Sequence, residues 1–473
     1  MRRSFSRCVT ALAEADPERI VVIADDRTLT AGELEAESTR LARAYLALGV
    51  AHDSLVAVSL PNTAEFVVVC AAIWKAGATP LPLSRDLSPR ERAEIADLAR
   101  PALTVGFALD GVPSVPAGHE PDPALPDAPL PDAAASSWKA PASSGSTGRP
   151  KIVLAAAPAV MDPTQPVAAF LPREGVQLVA GPLTHSATFT YAFRGLLTGQ
   201  RLVILPRFDE RRVLAAIQEH RVTWALLVPT TIHRLLRWPG HRDVDVSSLE
   251  TVLHLGSPCP PADKRGLIEW VGARTVVEVY AGSESNGLTM IRGDEWLERP
   301  GSVGRPIGGT EVRILDADGA PVPVGRPGTI WMRRGADPAY RYLGGESRRT
   351  GDGWDTLGDL GSLDADGRLT VLDRVDDLVL RGGVSIHPAE IERVLEEHPA
   401  VRGAVAFGVP DEDLGQAIEA VVDIDRADVG AEELLAFARE RLGRAQTPRA
   451  LWLQREPLRS DAGKVNRRRL REG

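Results

Sequence analysis

The amino-acid sequence predicts an α/β fold divided between a large amino-terminal domain of parallel α/β layers and a small carboxy-terminal domain. Runs of β-branched and aliphatic residues alternate with helical stretches through the middle of the chain, as is typical of parallel strands joined by crossover helices. The predicted strands are 201–205, 224–228, 251–255 and 275–279, and the predicted helices are 210–220 and 231–237. A chain of 473 residues is also too long for one hydrophobic core.

The remaining elements follow from local composition. Residues 66–78 are mostly apolar and predict a buried helix, and residues 79–83 predict a strand after it. Residues 110–137 are rich in Pro, Ala and Asp and have no hydrophobic period, which predicts an exposed loop. Asp-Gly and Gly-Gly pairs punctuate residues 301–372, and we assign the short strands expected there to a small β-barrel-like part.

A compact α+β unit is predicted at the carboxyl end of the chain. Helices are expected at 388–397 and 431–442, with a strand at 401–409 between them. The predicted domains are therefore 1–374 and 375–473.

Composition excludes several classes of protein. The chain has 55 Lys and Arg against 64 Asp and Glu, a net charge of −9 that argues against a general nucleic-acid binder. Three cysteines without close pairing or metal-ligand spacing favour a reducing cytoplasm. No secretory signal is recognisable, and the most apolar window, 66–78, is too short to span a bilayer.

One stretch combines small hydroxyl residues, glycines and a lysine: Ser143-Ser144-Gly145-Ser146-Thr147-Gly148-Arg149-Pro150-Lys151. Glycines let a backbone approach an anion closely, hydroxyl and N–H groups donate to phosphate oxygens, and the lysine supplies a positive charge. The stretch lacks the G-x-x-x-x-G-K-[ST] order of the nucleotide P-loop. By composition alone, a flexible surface loop is an equal alternative to a phosphate cradle.

The order of motifs resembles that of the acyl-adenylate-forming superfamily, which contains acyl-CoA synthetases, adenylation domains of peptide synthetases, and luciferases. The stretch 143–151 is similar to the phosphate loop of that superfamily, and four later motifs follow in the same order. They are Tyr280-Ala281-Gly282-Ser283-Glu284, Thr356-Leu357-Gly358-Asp359, Asp373-Arg374-Val375-Asp376-Asp377 and Arg459-Ser460-Asp461-Ala462-Gly463-Lys464-Val465. The resemblance covers nearly the whole chain and implies an AMP-forming acyl-CoA ligase.

The resemblance implies ATP, Mg²⁺ and coenzyme A as cofactors, and the residue types fit that chemistry. Activating a carboxylate on the α-phosphate of ATP is mainly a task of positioning and charge neutralisation. Glu284 is the expected catalytic Mg²⁺ ligand, together with Thr147. Asp359 and Arg374 are expected to hold the ribose, and Tyr280 to stack on adenine. The nucleotide and CoA contacts implied in all are Ser143, Ser144, Gly145, Ser146, Thr147, Gly148, Lys151, Gly256, Ser257, Glu278, Tyr280, Ser283, Asp359, Arg374, Gly382 and Gly383.

The small carboxy-terminal domain is implied to be mobile. In the superfamily it rotates about a hinge residue, which here is Asp376, and alternately delivers the catalytic Lys464 and a Gly-rich face to the site. That face is Gly382 and Gly383, where pantetheine can pass close to the backbone. A simple turn before the 388–397 helix is the alternative for these two glycines.

The resemblance places the acyl pocket at His185, Gly256, Ala281 and Gly282, and His185 is also a candidate catalytic residue. No acid occurs in 186–194, which disfavours an amino acid substrate. Small residues around the pocket indicate a roomy, mostly apolar site. The run 290–304 most resembles ligases for bulky polycyclic acids of the bile acid, steroid or terpenoid type.

The sequence departs from the superfamily pattern at Ala281, Ser283 and Leu357, but none of the implied catalytic charges is lost. Two alternatives stay open. One is a stand-alone adenylating enzyme that loads an aryl or fatty acid onto a carrier protein, and the other is a non-catalytic nucleotide-binding relative. The expected partners are a small carboxylic acid and CoA, without nucleic acid or a membrane span. The sequence leaves the oligomeric state open, with a homodimer as one alternative.

Overall fold

The structure is a computed structural model that describes residues 1–144, 150–381, 384–424, 426, 428–459, 465 and 470. The helices are α1 (Phe5–Ala15), α2 (Ala31–Ala47), α3 (Ala64–Lys75), α4 (Pro89–Ala99), α5 (Ser186–Leu197), α6 (Glu210–Glu219), α7 (Pro229–Arg237), α8 (Pro261–Val271), α9 (Gly293–Glu298), α10 (Pro388–Glu396) and α11 (Ala431–Arg441).

The strands before the end of the parallel region are β1 (Arg3–Ser4), β2 (Ile20–Ala24), β3 (Thr28–Thr30), β4 (Leu55–Val58), β5 (Thr79–Pro82), β6 (Leu103–Val105), β7 (Ser114–Val115), β8 (Ala142–Ser144), β9 (Pro150–Ala155), β10 (Val160–Met161), β11 (Val176–Val179), β12 (Arg201–Ile204), β13 (Trp224–Leu227), β14 (Thr251–His254) and β15 (Val276–Ala281). The later strands are β16 (Leu288–Arg292), β17 (Ser302–Pro306), β18 (Thr310–Leu315), β19 (Gly328–Arg334), β20 (Tyr340–Leu343), β21 (Asp359–Leu363), β22 (Leu369–Arg374), β23 (Val379–Arg381), β24 (Val384–Ile386), β25 (Val401–Asp411), β26 (Gly415–Ile424) and β27 (Ala450–Gln454).

The largest sheet has a parallel half and an antiparallel half. Strands β2, β12, β11, β13, β14 and β15 are parallel neighbours, which confirms the α/β fold predicted from the alternating pattern. Strands β16, β17, β22, β21, β19 and β18 continue the same sheet in antiparallel pairing. Five of these six strands begin within 301–372, where short strands are predicted, and β16 precedes that range.

A second, parallel sheet contains β5, β4, β6 and β7, and a three-stranded antiparallel sheet contains β20, β9 and β8. The helix predicted within 66–78 is α3, which is buried along almost its whole length. An aromatic cluster packs α3 against α1 and α5, with ring centroids 5.1 Å apart for Phe5 and Trp74 and 4.9 Å apart for Trp74 and Phe193. The Trp74 indole also donates to the carbonyl of Trp138 at 2.9 Å, which fixes the segment before β8.

The tract 110–137 is less exposed than its composition predicts. It contributes β7 to the second sheet, and its end is buried at Ala135 and Ser137. Two hydrogen bonds hold that end. The Thr79 hydroxyl donates to the Ser137 carbonyl at 2.7 Å, and the amide of Ser136 donates to Asp53 at 2.6 Å.

The carboxy-terminal part has its own core. Strands β25 and β26 form a long antiparallel pair, β27 lies parallel to β26, and α10 and α11 pack on them. The predicted boundary between 374 and 375 falls where β22 ends and a single 3₁₀ turn, Val375–Asp377, leads to β23. Within the part of the chain that the structure describes, no helix is both long and apolar enough to cross a bilayer.

Candidate active site

The loops that follow four parallel strands meet at one edge of the large sheet. His185 follows β11, Val228 follows β13, Gly256 follows β14, and Ala281 ends β15. Because these strands are parallel, their carboxyl ends share an edge, where open α/β sheets bind ligands. The fold thus brings together residues that are spread over almost a hundred positions of the sequence.

Tyr280, Asp359 and Arg374 form a hydrogen-bonded cluster at this edge. The Tyr280 hydroxyl donates to Oδ2 of Asp359 at 2.7 Å, and Nε of Arg374 lies 3.3 Å from Oδ1 of the same carboxylate. Asp359 and Arg374 are direct neighbours across β21 and β22. Burial and the adjacent Asp359 carboxylate raise the pKa of Tyr280 well above its usual value, so the phenol remains a donor. The carboxylate is therefore oriented from both sides.

The side chains of Leu357 and Glu284 pack directly over Gly282 and leave no room for a Cβ atom. A Cβ at this position would lie 2.7 Å from Cδ2 of Leu357 and 2.8 Å from Oε2 of Glu284. Leu357, one of the three residues that depart from the superfamily pattern, thus packs against the backbone at the end of β15. Any larger residue at 282 would displace either Leu357 or the expected metal ligand.

Glu284 is held by a lysine and a tyrosine. Its Oε1 accepts from the Tyr342 hydroxyl at 2.6 Å and lies 3.4 Å from Nζ of Lys151, which itself donates to the Tyr342 hydroxyl at 2.8 Å. Lys151 also lies 4.0 Å from the centroid of the Tyr342 ring. Burial and Glu284 together raise the pKa of Tyr342 far above its usual range.

This cluster fits a magnesium site that is completed by a substrate. Mg²⁺ in phosphate-transfer sites takes one or two carboxylates and binds phosphate oxygens and water for the rest. Glu284 supplies one such carboxylate, and no group of three or more His, Cys, Asp or Glu side chains suited to a metal occurs among the described residues. Lys151, the lysine expected to contact the phosphates, lies beside it.

Sequence reasoning missed Tyr342. The residue lies on β20, which pairs with β9 so that Tyr342 stands opposite Val153, two residues beyond Lys151. The alternation of Tyr340 and Tyr342 was the one available signal, since it places both rings on one face of a strand. Only the pairing of β20 with β9 shows that this face meets Lys151.

His185 immediately precedes α5 and lines a small cavity. Ala187, Leu226, Leu255 and Gly256 are among the mainly apolar residues of its wall. The free space is only about 10 Å³, no more than one water molecule requires. A substrate can therefore enter here only when side chains move apart. Ala281, by contrast, is exposed, and Gly282 and Ser283 are half-buried beside it.

Two other expected nucleotide contacts, Glu278 and Ser257, are not part of the hydrogen-bonded cluster of Tyr280, Asp359 and Arg374. The Glu278 carboxylate forms a buried ion pair and hydrogen bond with Lys264, so its charge is already matched within the protein. His254, opposite Glu278 on β14, is also buried, and desolvation lowers its pKa to about 4. Ser257 is half-buried in the loop after β14.

At the expected hinge, Asp376 is exposed, and its carboxylate lies 3.9 Å from Nη2 of Arg348. Asp373, three residues earlier, bridges the two sides of the hinge. Its Oδ1 accepts from the amide of Arg374 at 2.8 Å, and its Oδ2 accepts from the amide of Ala389 in the first turn of α10 at 3.0 Å. A carboxylate at a helix amino terminus is stabilising because it satisfies a free N–H group.

Several predicted residues lie outside the described residues: Gly145, Ser146, Thr147, Gly148, Gly382, Gly383 and Lys464. Ser143 and Ser144 lie in β8, whose register places them opposite Lys151 and Pro150 of β9. The backbone on both sides of the phosphate-loop motif is therefore anchored in the sheet of β20, β9 and β8.

Two sequence families match the chain. Residues 9–342 match the family described as AMP-binding enzyme, and residues 390–464 match the one described as AMP-binding enzyme C-terminal domain. The two matched segments lie on opposite sides of the turn at 375–377.

Curated relatives match over nearly the full length. The 3-[(3aS,4S,7aS)-7a-methyl-1,5-dioxo-octahydro-1H-inden-4-yl]propanoyl:CoA ligase of Mycobacterium tuberculosis is 31% identical, with 99% of both chains covered. A feruloyl-CoA synthase from Amycolatopsis sp. is 32% identical over 93% of this chain and 92% of the relative.

Solved structures share the fold. The o-succinylbenzoate CoA synthetase of Bacillus subtilis, in complex with its acyl-adenylate intermediate, superposes with a TM-score of 0.84 at 26% identity. The match covers 100% of this chain and 99% of the synthetase. The amide bond synthetase McbA from Marinactinospora thermotolerans gives a TM-score of 0.82 at 25% identity, with 99% of both chains covered.

Proposed function

This chain belongs to the family of AMP-binding enzymes, and from that premise we propose that it ligates a bulky, polycyclic carboxylic acid to coenzyme A. It is an AMP-forming acid–thiol ligase, as its relatives are. The reaction uses ATP and Mg²⁺, first makes an acyl-adenylate with release of pyrophosphate, and then transfers the acyl group to the thiol of CoA. The three free cysteines fit a reducing cytoplasm as the place of this reaction.

The two-step route follows from the chemistry of the acid. A carboxylate repels nucleophiles and has a poor leaving group, and conversion to a mixed anhydride with AMP removes both obstacles. In this proposal Asp359 and Arg374 hold the ribose, Tyr280 stacks on adenine, and Lys151 binds the phosphates that leave as pyrophosphate. Lys464 neutralises the charge that develops between the attacking carboxylate and the α-phosphate.

The Glu284 carboxylate is the group that would hold Mg²⁺, which supplies charge neutralisation at the phosphate oxygens. Tyr342 orients that carboxylate through its 2.6 Å hydrogen bond. With Mg²⁺ held by Glu284, Lys151, whose Nζ lies 3.4 Å from that carboxylate, would turn toward the phosphates and neutralise them.

The proposal of a polycyclic substrate rests on one observation. A relative matched along 99% of this chain is named for a fused-ring acid, an octahydroindenyl propanoate with two oxo groups. The small residues around His185 support it, because Ala187 and Gly256 leave the walls of the cavity thin. Binding of such a ring system depends on apolar contact area.

The proposal is tested by pyrophosphate release with ATP, Mg²⁺ and a panel of acids that share a carbon number but differ in shape. Linear, monoaromatic and fused-ring acids form the three arms. We expect kcat/KM for fused-ring acids to exceed that for linear acids by about 10-fold or more, as several buried methylene groups allow. Addition of CoA should then give the thioester, identified by its mass. Equal or faster reaction of short linear acids would refute the substrate class.

A further inference from the structure

Helix α5 carries an unusual polar row on a mostly buried helix. Ser186, Thr190 and Arg194 follow one another at intervals of four residues and so lie on one face. Lys139, in the segment before β8, faces that row from the other side. Its ammonium group is buried and donates to the Ser186 hydroxyl at 2.9 Å and to the Thr190 hydroxyl at 2.7 Å.

The indole of Trp138 lies beside both cations. Cζ of Arg194 is 4.7 Å from the ring centroid, and Nζ of Lys139 is 5.0 Å from it. Each distance is within the range of a cation–π contact. The indole thus holds both cationic groups in place, but it carries no negative charge.

Lys139 and Arg194 lack a paired anion among the described residues. Among the described residues, no carboxylate lies within salt-bridge distance of Lys139 or Arg194, and the buried Nε of Arg194 has no hydrogen-bond partner. Glu284 acts on Lys139 only over a longer range, and its carboxylate is engaged by Lys151 and Tyr342. Burial and Arg194 lower the pKa of Lys139 to about 7, whereas Arg194, with its pKa lowered to about 10, stays charged at neutral pH. Arginine in the interior is costly when its charge is unmatched.

The same helix connects this cation to the acyl cavity. Ala187, which lines the cavity beside His185, is followed one turn later by Tyr191, and Arg194 lies one further turn along, between this row and the row of Ser186 and Thr190. Tyr191 packs against Phe170 and Trp224, with ring centroids 5.7 and 5.8 Å apart. Arg334, at the end of β19, adds a third positive charge near both Tyr191 and Arg194. From His185 to Arg194 the helix rises about 13 Å, a length comparable to that of a small fused-ring acid.

We infer that the acyl pocket ends at Arg194 and selects acids that carry a second carboxylate, at the end opposite the one that is activated. The inference rests on the proposed function and specifies its substrate further. The apolar rings contact the side chains between His185 and Tyr191, and the second carboxylate supplies the anion that Arg194 lacks. Lys139 supports it by fixing Ser186 and Thr190.

Binding of non-reactive adenylate mimics tests this directly. The probes are acyl-sulfamoyl adenosines that share one fused-ring skeleton and differ at the far end, which bears a carboxylate, a ketone or a methyl group. We expect the wild-type chain to bind the carboxylate probe about 10- to 100-fold more tightly than the methyl probe, as hydrogen bonds to charged groups allow. Arg194→Met should abolish that preference without weakening the methyl probe, and Arg194→Lys should keep part of it.

Arg211→Met is the matched control, because Arg211 is exposed on α6 and should leave the preference unchanged. Equal binding of the carboxylate and methyl probes by the wild type would overturn the inference while leaving the proposed function intact. Tighter binding of the ketone than of the carboxylate would overturn it too. Failure of every probe to bind would instead overturn the proposed function. Melting curves of each variant ensure that only folded protein enters the comparison.

Discussion

The hydroxyl of Tyr280 donates a 2.7 Å hydrogen bond to Oδ2 of Asp359, although 79 residues separate them in the sequence. Tyr280 lies on the last parallel strand of the large sheet, and Asp359 begins a strand in its antiparallel half. The contact therefore joins the two halves of the sheet at the expected nucleotide site. It also gives the tyrosine a second role besides stacking, because it orients the carboxylate that is proposed to hold the ribose.

This relationship predicts graded effects on ATP binding. Asp359→Asn removes the charge opposite Arg374, so we expect KM for ATP to rise about 10- to 100-fold. Tyr280→Phe keeps the ring and loses one hydrogen bond to a charged acceptor, so the rise should be smaller, about 5- to 10-fold. Initial rates of pyrophosphate release at varied ATP measure both. KM for the acid should hardly move, and a change confined to that parameter would contradict the assignment.

Substitution of Glu278, on β15, and of Glu284, in the loop after β15, should have different effects on activity and stability. Glu284→Gln removes the proposed metal ligand, so we expect kcat/KM to fall by about 100-fold and the Mg²⁺ concentration for half-maximal rate to rise, with an unchanged melting temperature. Glu278→Gln instead leaves Lys264, whose side chain is 1% exposed, without its anion. Removing one partner of a buried pair costs about 3 to 5 kcal/mol, so this variant should melt earlier.

Magnesium titrations and thermal melts of the two glutamine variants separate these roles. A raised Mg²⁺ requirement in the Glu278 variant, at unchanged stability, would place that residue in the metal site after all.

The sequence predicted those parts of the structure that depend on local pattern. Strands β12 to β15 and helices α6 and α7 coincide with the predicted runs because β-branched stretches and helical periods are local signals. Tyr280, Asp359 and Arg374 come from three separate motifs and are in contact, since each motif ends or begins a strand at the same edge of the sheet.

The parts of the structure that the sequence does not predict depend on contacts between segments that are far apart in the chain. Lys151 and Tyr342 are 191 residues apart and meet only because β9 pairs with β20. Likewise, nothing in the composition of residues 110–137 indicates that Thr79 and Asp53 bind its end. Nothing in the sequence distinguishes Lys139 from other lysines, and only the packing of α5 against it shows that it donates to Ser186.

The expected division of labour between the domains predicts a split phenotype for Lys464. Lys464→Ala should abolish formation of the acyl-adenylate, because it removes the charge placed at the reacting oxygens, a loss of about 10² to 10³ or more in rate. Transfer of the acyl group from preformed acyl-AMP to CoA should be largely retained. Single-turnover assays of each half-reaction measure this. Equal loss of both would show that one conformation serves both steps.

Glu396 predicts a pH dependence of stability that is unusual for a carboxylate. Burial raises its pKa to about 7, and the nearby Glu392 adds to the effect, while Arg459 opposes it. Because this pKa is above that of the unfolded chain, folding favours the protonated form. The associated stability is present below about pH 4.5 and is lost as the pH rises through 7.

Glu396→Gln removes that titration while keeping an acceptor for the amide of Ala404, now 3.2 Å away. We expect the variant to be more stable than the parent at pH 8, by roughly 2 kcal/mol once partial solvent exposure is allowed for, and to match it near pH 4.5. Melting temperatures of both proteins across pH 4.5 to 8 provide the comparison. Glu397→Gln is the control, because Glu397 is exposed and, within the described part of the chain, forms its ion pair with Arg393 one turn earlier. A stability difference that does not change with pH would mean that Glu396 ionises at its ordinary pKa in the folded protein.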